Sequence, residues 1–207
     1  MRQLRSRSLT LAAFAAFLAW AGLVWAGVFT SFDRDAVHHW MPWAHFGPHH
    51  LVQVGGVFKP QTESTLGGTL VGVWTYPASP FISALVVLAC AWVLPRREGF
   101  AAIALWVIAN AVELLGKLVV NRPSVGEPGF SDSFPSGHTV RAFVVAAVLA
   151  WTWRRGALPA YGWAVGVAVA LVALGDHVPT DVIGGALLAA ALVVGTTQAL
   201  SARTPSS

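Results

Sequence analysis

The chain has 207 residues, 56% of them hydrophobic and 11% charged, and a mean hydropathy of +0.64. This apolar fraction exceeds what a soluble domain of its size carries, which excludes an ordinary water-soluble globule. A net charge of +4 would suggest nucleic acid in a soluble protein, but here the basic residues fall between apolar stretches and report topology instead.

Six stretches approach the roughly 20 apolar residues that a membrane crossing needs. In chain order they are residues 9–29, 66–94, 100–120, 135–153, 157–174 and 181–199, which predicts an all-α polytopic bundle of about six transmembrane helices. The first follows Arg2, Arg5 and Arg7. It exceeds the usual signal-peptide core of about 7–15 residues and no convincing cleavage site follows, so it reads as a retained helix, with a cleaved signal as the alternative. Pro77 and Pro80 predict a kink or a break in the second. Cys90 lies inside that stretch, and as a lone cysteine it offers neither an intrachain disulfide nor a cysteine metal site.

Arg2, Arg5 and Arg7, then Arg96 and Arg97, then Arg154 and Arg155, and finally Arg203 all fall on one side of six crossings. The positive-inside rule makes that side cytoplasmic, with both termini there. Nearly all the acids and all seven histidines then gather at the outer side. The chain divides into residues 1–30 (tail and first helix), 31–65 (an outer interfacial segment), 66–200 (a helical core) and 201–207 (a cytoplasmic tail). The outer segment mixes histidines and tryptophans with apolar residues, as a surface-lying stretch would. His45, His49 and His50 allow a metal reading, but Gly47 and Pro48 interrupt the helix that would align them, so no metal is expected.

Ionisable groups within or at the ends of spans are costly, and three clusters qualify as functional candidates. Glu113 and Lys117 are four apart on one helix face, and Arg122-Pro123 follows. An interfacial ion pair and an anion-holding pair explain these residues equally well. Phe134-Pro135-Ser136-Gly137-His138-Thr139 opens the fourth span. Proline at a helix start with Ser136 and Gly137 behind it makes an anion-binding N-terminus carrying His138, and Arg141 shares the face of His138. Asp176-His177-Val178-Pro179-Thr180-Asp181 opens the sixth. Asp181 can accept from one imidazole nitrogen of His177 and leave the other as a nucleophile. Two histidines, a carboxylate and nearby cations are what phosphoryl transfer through a phosphohistidine requires.

These motifs resemble the type 2 phosphatidic acid phosphatase superfamily of membrane lipid phosphatases, over residues 32–185. The middle motif, Pro135-Ser136-Gly137-His138, is matched in full. Of the last motif, Ser-Arg-x5-His-x3-Asp, His177 and Asp181 are kept, while Ala170 and Leu171 stand at the Ser-Arg positions. Of the first, Lys-x6-Arg-Pro, Lys117 is kept. Ser124 and Val125 replace its Arg-Pro pair, and Arg122-Pro123 matches an additional pair found in many bacterial members. The resemblance implies His177 as nucleophile, Asp181 as its orienting partner and His138 as general acid. It implies phosphate binding by Lys117, Ser136 and the Gly137 backbone N–H, with Arg122, and less directly Arg141, standing in for the absent arginines. Each lost guanidinium removes a contact worth about 3 kcal/mol in such sites.

The expectation is therefore a membrane phosphatase acting on a lipid phosphate or diphosphate. No cofactor is expected, and membrane lipid rather than nucleic acid is the partner. The site would face outward from a bacterial plasma membrane. A weakened relative that binds lipid phosphate or transfers the phosphoryl group is the alternative, and a transporter or structural subunit with a vestigial site is the third reading. On this view Leu171→Arg would restore a phosphate contact.

Overall fold

The computed structural model describes residues 2–41, 44–45, 51–54, 57–62, 66–123, 125 and 133–202, with backbone alone for 2–7, 44–45, 51–54 and 57–62. The histidine reading of the outer segment therefore falls largely outside the described residues, as do Ser124 and Arg203.

Helix α1 (Arg2–Trp25) is followed directly by a short second helix, α2 (Thr30–His39). Strands β1 (Ala44–His45), β2 (Leu51–Val54) and β3 (Val57–Thr62) form a small antiparallel sheet in the order β1-β3-β2. The expected second span divides into α3 (Leu66–Thr75) and α4 (Pro80–Val93), bent by 49° at a 3-10 turn over Tyr76–Ala78. Pro77 and Pro80 lack the N–H that would continue the helix, so the break falls where they stand. Four further helices follow: α5 (Arg96–Val119), α6 (Gly137–Thr152), α7 (Ala157–Ala173) and α8 (Pro179–Ala202).

Among the described residues, four helices are long and apolar enough to cross a membrane, or five if the bent α3–α4 pair counts as one span. The remaining expected crossing, the fourth in chain order, is α6, which has only 16 residues and so spans about 24 Å. It packs against α4, α5, α7 and α8. A helix enclosed by its neighbours does not need to match the lipid thickness along its own length.

The core follows from this enclosure. Val140, Val144 and Val148 of α6 meet Phe17 of α1, Leu105 of α5 and Leu188 of α8 on one side. Ala142 and Ala146 meet Val167 and Leu171 of α7 on the other. Outward positions are equally apolar, with Leu18, Phe81, Trp92, Leu118 and Val169 all exposed, as lipid-facing surfaces require. A third, smaller cluster joins Val37 and Met41, in and just after α2, to Val125 and Val178. Each fully buried side chain of this kind contributes about 1.5–3 kcal/mol. The cluster thus docks α2 onto the two loops that carry the site residues.

Candidate active site

The turn before α6 is built as the sequence suggests, with Ser136 as N-cap. Its Oγ accepts from the Thr139 N–H at 3.4 Å and from the Thr139 hydroxyl at 3.0 Å, which satisfies one of the orphan donors of a helix start. The Ser136 N–H, expected to face an anion, instead donates to the Asp181 carbonyl at 3.0 Å. That bond ties the start of α6 to the start of α8. The two helices approach so closely here that a Cβ on Gly185 would sit 2.7 Å from the Ser136 carbonyl oxygen. The Gly184-Gly185 pair after Asp181 is thus explained by packing.

His177 lies in the turn between α7 and α8, buried, with Nδ1 facing Asp181 Oδ2 at 3.4 Å. The Ser133 hydroxyl donates to that same Oδ2. When Nδ1 carries the proton, Nε2 presents the lone pair that a nucleophile needs. His138 is half-buried in the first turn of α6.

Lys117 and Arg141 converge on a single carboxylate. Lys117 Nζ is 2.6 Å from Glu113 Oε1, and Arg141 Nη1 is 4.0 Å from Glu113 Oε2. Arg141 also donates to Asn110 Oδ1 at 3.1 Å and, through Nε, to the Ala78 carbonyl at 2.8 Å. Glu113 lies against the start of α6, and a Cβ on Gly137 would fall 2.7 Å from its Oε1. The Lys117 side chain is 33% exposed, and that of Arg141 is 8%.

Arg122 departs from its expected setting. Its side chain is 2% exposed, Nη2 donates to Asp33 Oδ2 at 2.7 Å, and Nε faces Asp181 Oδ1 at 3.4 Å, an ionic contact without hydrogen-bond geometry. The arginine proposed for phosphate is held by carboxylates, because a guanidinium this deeply buried requires charge compensation. Leu171, at the position of a lost motif arginine, is 1% exposed within the apolar cluster of α6 and α7.

Asp33 is the residue that sequence reasoning passed over. It is 1% exposed, accepts from the Thr180 hydroxyl at 2.6 Å and faces the Thr180 N–H at 3.3 Å, so it caps the N-terminus of α8 from another helix. Burial pushes its carboxyl above the ordinary value, and Thr180 and Arg122 only partly offset this. The signal available was an acid at the first place of an Asp33, Ala36, Val37 stripe, which is the buried face of α2.

The motif spacings, the short central helix and the His–Asp pair now stand together, and residues 114–205 match the family model of the PAP2 superfamily. Over this stretch the chain is similar to the PAP2 superfamily. The PAP2 region begins just after Glu113 and takes in Lys117, Arg122, the α6 start and the His177 turn, whereas Asp33 precedes it. Most of the chain is similar in fold to a solved structure, the crystal structure of the first transmembrane PAP2-type phosphatidylglycerolphosphate phosphatase from Bacillus subtilis. The TM-score is 0.67 and the identity 16%, covering 94% of this chain and 97% of that one. No curated protein matches in sequence. With its exposed apolar helices and the fold of a transmembrane PAP2 protein, the chain is an integral membrane protein.

Proposed function

We propose that the protein is a lipid phosphate or diphosphate phosphatase that works through a phosphohistidine. The observation that carries this reading is the pairing of His177 with the buried Asp181 beside the capped start of α6, where His138 stands. His177 Nε2 attacks phosphorus and the bond to the lipid oxygen breaks, while His138 gives its proton to that oxygen. Water, deprotonated by His138, then attacks phosphorus and the phosphorus–nitrogen bond breaks, which releases phosphate and restores His177. Lys117, the Ser136 hydroxyl and the Gly137 N–H neutralise the charge developing on the phosphoryl oxygens, with Arg141 behind them.

An apolar groove of about 360 Å³ supports a lipid substrate. Phe143, Val169, Val172, Val182 and Ile183 line it, together with Pro179, which is two residues from His177 in the chain. By the distribution of arginines the site faces outward and the termini are cytoplasmic, in a bacterial plasma membrane.

The test is phosphate release by the protein in detergent from phosphatidate, phosphatidylglycerol phosphate and polyprenyl mono- and diphosphates. His177→Ala should abolish release, and His138→Ala should slow it about 10²- to 10⁴-fold. Full activity in His177→Ala would overturn the mechanism. A second reading, lipid-phosphate binding or transfer to an acceptor other than water, is favoured by one observation: Lys117, Arg122 and Arg141 all lie beside carboxylates. It predicts vanadate binding without phosphate release.

A further inference from the structure

We propose that Asp33 of α2 is a positioning residue of the site, holding Arg122 so that Asp181 remains directed at His177. This rests on the phosphohistidine reading above.

The two oxygens of Asp181 have separate neighbours. Oδ2 accepts from Ser133 and faces His177 Nδ1, while Oδ1 faces Arg122 Nε. Arg122 makes its short contact with Asp33, at 2.7 Å, and its long one with Asp181, at 3.4 Å. Of these two carboxylates, Asp33 thus holds the guanidinium the more closely. A guanidinium presents a planar fork that fits a carboxylate with two parallel bonds, so the two carboxylates compete for it. Without the Asp33 charge, Arg122 closes on Asp181, neutralises it and draws it from the imidazole. The nucleophile then loses both its orientation and the carboxylate that stabilises positive charge on it during attack.

The anchoring of Asp33 suits this task. Thr180 fixes both its oxygens, and Thr180 directly precedes Asp181. The Thr180 carbonyl accepts in turn from Trp20 Nε1 of α1 at 3.1 Å. Arg34, the next residue, donates through Nε to the Val125 carbonyl at 3.1 Å, which pins the loop that carries Arg122. Val37 and Met41 pack on Val125 and Val178. One short helix from outside the PAP2 region thus grips both loops whose side chains meet at Asp181.

The test compares Asp33→Asn, the milder Thr180→Val and the double variant Asp33→Asn/Arg122→Gln by steady-state phosphate release and by proton–nitrogen NMR of the imidazoles in detergent. His177→Ala identifies the His177 Nδ1–H resonance. Asp33→Asn should lower kcat on the order of tenfold with KM unchanged and move that resonance upfield. Thr180→Val should do the same to a smaller extent. The double variant should turn over faster than Asp33→Asn, because no guanidinium remains to capture Asp181; a merely structural role for Asp33 predicts the opposite. A folded Asp33→Asn protein with wild-type kcat and an unmoved resonance overturns the proposal, as does a double variant no faster than the single one. Release that survives His177→Ala would overturn the phosphohistidine mechanism alone, and the resonance would still decide what Asp33 does.

Discussion

Two carboxylate-centred ion clusters flank the same pair of helix starts, and they differ in how they treat their cations. Around Glu113, Lys117 is one-third exposed and Arg141 stands off at 4.0 Å. Around Asp33, every member is sealed, with side chains of Arg122 and Asp33 at 2% exposure and Asp181 at 0%. The chemical types are the same, but only the first cluster can exchange a partner for an incoming anion at moderate cost. The second is a fixed frame, since breaking a buried pair leaves an uncompensated charge.

Three substitutions test this contrast. Arg122→Met abandons both Asp33 and Asp181 in the interior and should cost about 3–5 kcal/mol of stability, read by denaturation in mixed micelles. A cost near zero would show that the Asp33 cluster is not a frame. Leu171→Arg should destabilise by about 3 kcal/mol, since a guanidinium without a partner enters an apolar layer. A thermal shift without any gain in vanadate affinity is expected, contrary to the restoration that the motif comparison implied. Glu113→Gln should have the smallest effect and the opposite sign. With its carboxylate charge gone, Lys117 is released toward an anion and Arg141 loses an opposing charge, and vanadate should bind about 3- to 10-fold more tightly, roughly 1 kcal/mol. Weaker binding would mean that Glu113 orients these cations.

What was legible in the sequence was local. Ser136, Gly137 and Thr139 are neighbours along the chain, so the helix start could be read from cap chemistry, and His177 and Asp181 are one helical turn apart. The break at Pro77 and Pro80 was equally readable. What could not be read was joined across the fold. Asp33 and Arg122 are separated by 89 positions, and Asp33 and Thr180 by 147. No local pattern announces which carboxylate will compensate a buried arginine. The small sheet of β1, β2 and β3 was not legible either, because strand pairing between short irregular stretches leaves little periodic signal. The length of α6 was overestimated for a related reason: the apolar run continues through Trp153, but the helix stops at Thr152 and begins only at Gly137.

The bend between α3 and α4 carries a mechanical implication. A proline break in a membrane helix would ordinarily be a free joint, but here the Ala78 carbonyl at its apex is held by Arg141, three residues along from His138 on the same helix. The joint is latched. The angle of the broken helix and the seat of the proton donor are thereby coupled, so a force that straightened α3–α4 would pull first on the helix that bears His138.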